Sequence, residues 1–175
     1  MGTKTKKMCM IGDYGVGKTS LIRRFVERQF SDQYLSTVGV KISRKTVNIP
    51  SVKEDDHKEL KLLIWDIEGK TKFKGIAPTY IQGASGVLIV ADLERKETIE
   101  HFIDHLNLCY SVNKNIKIIA ALNKADLVSE DELSNLSNLA QEITSSSNIE
   151  IYPTSAKTGI NVDTIFDNLA SQMLN

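Results

Sequence analysis

The chain holds 175 residues, 41% of them apolar, and its 22 Lys+Arg are balanced by 22 Asp+Glu. That length suits one domain with one well-buried core, and a net charge of zero argues against a dominant electrostatic footprint for nucleic acid or anionic lipid. Cys9 and Cys109, 100 residues apart, make neither a disulfide framework nor a CxxC metal or redox motif. No apolar run reaches the roughly 18 residues that span a bilayer, and the N-terminus lacks the apolar segment of a secretory signal. The expectation is one soluble cytoplasmic domain over residues 1–175.

In chain order, residues 8–11 form a short apolar run ending at Gly12, and residues 20–25 open a helical pattern. Residues 38–49 and 60–65 read as strands. The polar link between them, residues 50–57, holds no helix, so the pair is predicted to be an antiparallel hairpin. Its acidic tip, Glu54-Asp55-Asp56, reads as a solvated turn. Residues 86–91 and 116–122 are apolar almost throughout, the character of parallel strands covered on both faces. Between them Ile99, Phe102, Ile103, Leu106 and Tyr110 recur at helical spacing over 98–110. The same spacing links Leu133, Leu136, Leu139, Ala140 and Ile143, and later Val162, Ile165, Phe166, Leu169 and Met173. A last short strand is predicted over 149–152. Alternation of this kind gives a three-layer α/β sandwich around a mostly parallel sheet.

Gly12-Asp13-Tyr14-Gly15-Val16-Gly17-Lys18-Thr19 satisfies GxxxxGK[ST] between a predicted strand and a predicted helix. Such a loop wraps backbone N–H groups around phosphate oxygens, and its glycines allow the positive φ and close approach this requires. The helix beginning near Lys18 aims its positive end at the same anion. Lys18 can then reach the β- and γ-phosphates, and the Thr19 hydroxyl can ligate Mg²⁺. Alone, the motif says only "nucleoside triphosphate".

Asn123-Lys124-Ala125-Asp126 follows a predicted strand directly, and the carboxyl ends of strands are where open α/β sheets bind ligands. A carboxylate at Asp126 can accept two hydrogen bonds from N1–H and the 2-amino group of guanine. Adenine offers no donors there and would leave it unpaired. Thr154-Ser155-Ala156-Lys157 follows the last predicted strand and can offer a backbone N–H to the guanine O6.

These motifs, in this order, resemble those of the Ras superfamily of small GTPases over nearly the whole chain, and are most similar to the Rab branch. Tyr34-Leu35-Ser36-Thr37-Val38-Gly39 resembles the first switch and Trp65-Asp66-Ile67-Glu68-Gly69-Lys70 the start of the second. Ala77-Pro78-Thr79-Tyr80 followed by Gly83-Ala84 is Rab-like in the same way. The resemblance implies a six-stranded sheet with one antiparallel hairpin strand, five helices, and a monomeric GTP/GDP switch with Mg²⁺. It implies nucleotide contacts from Asp13, Tyr14, Gly15, Val16, Gly17, Lys18, Thr19 and Ser20, and from Asn123, Lys124, Asp126, Ser155, Ala156 and Lys157 around the base. Phe30 would pack edge-on against guanine and Tyr34 would close over the phosphates. Thr19 and Thr37 would ligate Mg²⁺, with Asp66 acting through a water. Lys18, Thr37 and the Gly69 N–H would touch the γ-phosphate during catalysis. Effectors, exchange factors and activating proteins would meet an apolar cluster of Ile42, Trp65 and Tyr80, Ile42 replacing the usual aromatic.

The departures concern catalysis and membrane attachment. Where relatives place Ala, Gly and Gln, this chain has Glu68, Gly69 and Lys70. The glutamine orients the attacking water in a family that is itself a standard example of phosphoryl transfer. Lys70 has no carbonyl for that role but can neutralise γ-phosphate charge, favouring retention of GTP. Glu68 would repel the γ-phosphate unless it turned away or paired with Lys70, or it would orient the water itself. Tyr14, at a position small in most relatives, would obstruct an arginine supplied in trans. Rab-like chains end in a tail with prenylated cysteines, whereas this one closes on Ser171-Gln172-Met173-Leu174-Asn175, so membrane contact is expected only where such a tail is present. Met1-Gly2 begins a myristoylation pattern, but Lys6 stands where Ser or Thr is needed.

His101 and His105, i and i+4 on a predicted helix with Asp104 between, have a spacing that can hold a metal, but without an evident third ligand they read as a solvated face. Three functions therefore compete. They are a weakly hydrolysing GTP/GDP switch, a GTP-binding scaffold that hardly hydrolyses, and an ATP-dependent phosphate-loop enzyme such as a kinase, against which Asn123 to Asp126 speak.

Overall fold

The apolar runs become strands in the computed structural model, which describes residues 3–50, 58–72 and 74–175. They are β1 (Lys4–Gly12), β2 (Val40–Ile49), β3 (Lys58–Ile67), β4 (Gly86–Asp92), β5 (Lys117–Asn123) and β6 (Glu150–Pro153), hydrogen-bonded in the order β2-β3-β1-β4-β5-β6. β2 runs antiparallel to β3, with Ile42 opposite Trp65, and every other pairing is parallel. The six-stranded, mostly parallel sheet with one antiparallel hairpin strand is thus present. The acidic tip at Glu54-Asp55-Asp56 and the Met1-Gly2 pair lie outside the described residues.

Alternation along β1 explains the three layers. Met8 and Met10 point into a core shared with α1 (Lys18–Glu27) and α5 (Val162–Leu174), where Phe25 stacks on Phe166 at 4.1 Å. Cys9 and Ile11 point the opposite way, into a second core. That core is covered by α2 (Lys96–Glu100), α3 (Phe102–Val112) and α4 (Glu130–Ile143). β4, buried at every residue, lies between both, which is why its sequence shows no polar alternation before Asp92. Burial in the second core pushes the Cys9 and Cys109 thiols up to about 12, as expected of structural rather than reactive cysteines. β2 is an edge strand studded with Lys41, Arg44 and Lys45, charges that discourage pairing with another chain.

Five α-helical segments occur among the described residues, but the predicted helix over 98–110 is two of them. It breaks at His101, whose backbone (φ −72°, ψ −4°) leaves the α ladder while its ring turns to the phosphate loop. Among its described residues the second-switch stretch forms a 3₁₀ turn, Pro78–Tyr80, and no α-helix. Ser129 caps α4 in a reciprocal box with Glu132, fixing where that helix starts.

Candidate functional site

Parallel strands β1, β4, β5 and β6 all end on one side of the sheet, and the loops that follow them meet there. The loop from Asp13 to Gly17 turns through Gly17 at φ +101°, where an added Cβ would lie 2.2 Å from Asn123 Nδ2. That closeness has a use: Asn123 Nδ2 donates to the Val16 carbonyl at 3.0 Å, tying the phosphate loop to the base motif. Lys18 begins α1, is only 6% exposed, and donates from Nζ to the Asp13 carbonyl at 3.0 Å.

Burial pushes the Lys18 ammonium down to about 8, against partial support from Asp66 and Asp13. Between that value and the ordinary lysine range the unfolded chain holds more protons than the folded one, so stability of the empty protein should rise with pH across about 8 to 10.5. A polyanion bound against Nζ favours the charged form. Binding should therefore take up a proton above about pH 8 and weaken as pH rises further. Calorimetry in buffers of different ionisation enthalpy at pH 8.5 checks this, and proton release on binding would contradict it.

The expected metal ligands lie within hydrogen-bond distance of one another. Thr19 Oγ1 donates to Asp66 Oδ2 at 2.5 Å and lies 2.7 Å from Thr37 Oγ1, which is 3.4 Å from the same carboxylate oxygen. Asp66 Oδ1 is buried with no hydrogen-bond partner among the described residues. Burial first of all raises the Asp66 carboxyl, and the Thr19 bond and Lys18 only partly offset it. Clustered hard oxygens with one acceptor unmet fit Mg²⁺, which prefers such donors and keeps several waters.

The second switch is zipped to the phosphate loop by main-chain bonds. Lys70 N–H donates to the Gly12 carbonyl and Tyr14 N–H to the Lys70 carbonyl, both at 2.9 Å. Gly69 fits flush there: a Cβ would stand 2.6 Å from Tyr14 Cα and 2.7 Å from Tyr14 N. Neither neighbouring side chain reaches the cavity. Lys70 Nζ bonds Asp104 on α3 at 3.1 Å. Glu68 turns away as one alternative required, yet pairs with Lys74 at 2.8 Å and accepts the Gly39 N–H at 3.2 Å, rather than pairing with Lys70. The Glu68 N–H returns a bond to the Gly39 carbonyl, so the two switches are joined at this residue.

At the base end, Ser155 Oγ donates to Asp126 Oδ1 at 2.6 Å, and Thr154 Oγ1 donates to Asn123 Oδ1 at 3.2 Å. Lys124, in a left-handed conformation at φ 66°, donates from Nζ to Asp92 Oδ2 at 2.7 Å. Together these loops enclose a cavity of about 800 Å³. Tyr14, Gly15, Gly17, Lys18, Thr19, Ser20, Phe30, Tyr34, Thr37, Gly69, Asn123, Lys124, Asp126, Ala156 and Lys157 line it. Asp13, Val16, Asp66 and Ser155 stand behind that lining and brace it. Tyr14 meets Tyr34 edge-on with ring centres 5.5 Å apart, and both rings line the cavity.

Sequence reasoning missed Asp92 and Arg95. Asp92 is buried at the end of β4, and Arg95 bridges it at 3.1 Å while donating to the Tyr14 carbonyl at 2.6 Å. A carboxylate terminating a fully apolar strand was the one signal that pointed there. His101 and His105 also need correction. Neither simply faces solvent: His101 Nδ1 lies 2.5 Å from Asp13 Oδ2, and His105 Nε2, on a buried ring, 3.1 Å from Oδ1.

Of the expected partner-binding residues, Ile42 is exposed, while Trp65 and Tyr80 are half-buried against the second core, with the Lys7 ammonium 3.6 Å from the Trp65 ring centre. Nearby Leu35 and Val38 are exposed at 64% and 84%, so the first switch presents an apolar surface.

The Ras family model matches residues 7–175. The chain is 32% identical over 169 residues to Ras-related protein Rab-13 of Mesocricetus auratus, covering 96% of this chain and 79% of the relative. It is 32% identical to Ras-related protein Rab-2B of Dictyostelium discoideum, covering 96% and 80%. Against Ras-related protein Rab-1 of Theileria annulata the identity is 34%, covering 95% and 73%. With the phosphate loop, both switches and both base loops converging on one cavity, the chain belongs to the Ras family and is Rab-like within it.

Proposed function

We propose that this protein is a GTP/GDP conformational switch with slow GTP hydrolysis. The observation that carries the reading is the single cavity on which Lys18, Thr19, Thr37, Gly69, Asn123 and Asp126 converge. Asp126, held by Ser155, selects guanine; Lys18 and the loop N–H groups hold the phosphates; Phe30 and Tyr34 close over the ligand. Thr19 and Thr37, with Asp66 behind them, would hold Mg²⁺, which when bound neutralises phosphate charge. Thr37 and Gly69 respond to the γ-phosphate and order their two switches, and loss of that phosphate releases them. Ile42, Trp65 and Tyr80 then offer an anchor surface to effector, exchange and activating proteins. No helix among the described residues is long and apolar enough to cross a membrane.

Slow hydrolysis is supported by Lys70 lying on Asp104 and Glu68 lying on Lys74 and Gly39, which leaves the water without an orienting side chain. Positioning is most of what such an enzyme contributes. Lys70→Gln should therefore raise the single-turnover rate ~10-fold or more, about 1.4 kcal/mol of barrier. If Glu68 instead orients the water, Glu68→Ala lowers the rate and Lys70→Gln changes little. A Lys70→Gln rate at or below the parent's contradicts the proposal. A parent with negligible turnover that Lys70→Gln does not raise favours the GTP-binding scaffold.

Gly69→Ala tests the coupling of chemistry to the second switch. Its Cβ would meet main-chain atoms of Tyr14 and Asp13, which cannot move aside as a side chain can, so the Lys70–phosphate loop pairing should part. Hydrolysis is expected to fall ~100-fold or more, the scale for removing one positioned donor, while GDP affinity changes less. Equal losses in GDP and GTP affinity with unchanged turnover would contradict it.

A further inference from the structure

The phosphate loop is held from outside by α3. Asp13 sits inside the loop, mostly buried, and each of its carboxylate oxygens faces an imidazole: His101 Nδ1 at 2.5 Å and His105 Nε2 at 3.1 Å, one turn apart. Burial raises the Asp13 carboxyl, but the hydrogen bonds from His105 and His101 outweigh it and hold the group below the usual carboxylate range. Its main chain performs two further tasks. The Asp13 carbonyl receives the Lys18 ammonium at 3.0 Å, and residues 12 and 14 on either side carry the bonds to Lys70. On the same turn of α3, Asp104 holds the Lys70 side chain.

We infer that His101 and His105 are positioning residues for the phosphate loop, acting through the Asp13 carboxylate to fix the main chain that receives the Lys18 ammonium and the Lys70 backbone, and thereby setting how long a bound nucleotide is retained. The inference rests on the guanine-nucleotide reading above. Asp13 is the negative charge of the loop beside a site built for a polyanion, and the imidazoles are the groups able to compensate it. The other charges facing the cluster are Lys18 on the Asp13 carbonyl, Arg95 on the Tyr14 carbonyl, and the Lys70–Asp104 pair on the same turn of α3. Hydrogen bonds to both rings keep the carboxylate on α3 and away from bound phosphates; without them Asp13 is free to turn toward the polyanion and repel it, so that nucleotide leaves sooner.

The test is the release rate of a fluorescent GDP analogue from the whole protein in excess Mg²⁺. His101→Leu, at the partly exposed ring, is expected to quicken release about 5–10-fold at an unchanged melting temperature, the scale of one charge acting on another through a partly buried site. His101→Asn, whose amide can donate from the place of Nδ1, should restore most of the parent's slow release, and in the Asp13→Asn background His101→Leu should add little. Release that His101→Leu leaves unchanged, or quickens by the same factor whether residue 13 is Asp or Asn, would overturn the inference. A protein that loads no GDP analogue would instead overturn the guanine-nucleotide reading itself.

Discussion

Asp126→Asn should weaken GTP binding by at least ~3 kcal/mol, the scale for removing a charge-assisted, bidentate pair of hydrogen bonds from a closed site. The carboxylate is held by the Ser155 hydroxyl at 2.6 Å, on the wall of the cavity built by the loops after β5 and β6. An amide there presents an N–H₂ toward the two guanine donors and suits xanthine, whose 2-position is a carbonyl. The variant should therefore prefer the xanthine nucleotide while keeping its melting temperature, because the amide oxygen can still accept the Ser155 hydroxyl. Equilibrium titration with both nucleotides measures the exchange. Unchanged GTP affinity would mean that this loop does not read the base.

Lys18→Ala should have effects of opposite sign on binding and on the empty protein. In the proposed nucleotide complex the ammonium would sit against phosphate oxygens, and truncating one partner of a buried charge pair costs about 2–5 kcal/mol. Without nucleotide, the same ammonium is buried with the Asp13 carbonyl as its one hydrogen-bond partner among the described residues, and burial has already pushed it down to about 8. Removing it takes away that desolvation penalty, so thermal stability of the empty variant should hold or rise while affinity falls by a factor of ~30 or more, the low end of that range. Parallel loss of both would show that Lys18 is a structural residue.

What could be read from the sequence was whatever lies in one stretch of chain. The phosphate loop and Asn123-Lys124-Ala125-Asp126 are contiguous, their spacing follows from ligand geometry, and each stands after an apolar run, so strand context and chemistry could be checked together. The β2–β3 hairpin was legible because the link between its strands is too short for a crossover, and its register follows from β3 burying Leu60, Leu62 and Ile64 on one face. Contacts between distant segments were not legible. Spacing put His101 and His105 on one face of a helix, but nothing local says that this face meets Asp13, 88 and 92 residues away. Long, flexible Lys70 and Glu68 were assigned by position beside the γ-phosphate; their partners, Asp104, Lys74 and Gly39, depend on how α3 and the first switch pack. The break of the 98–110 helix has the same origin, since it is the His101 ring reaching for the phosphate loop that accompanies the change in backbone.

The most direct measurement is the nucleotide carried by the protein after purification in Mg²⁺, released by denaturation and identified by chromatography, then repeated after chelation. Near-stoichiometric GDP or GTP, lost when the metal is removed, is the expected result, because one cavity gathers Lys18, Thr19 and Thr37, with Asp66 behind them, and Asp126, the residue proposed to read guanine. Bound ATP, or an empty protein that takes up no guanine nucleotide when it is supplied, would contradict it.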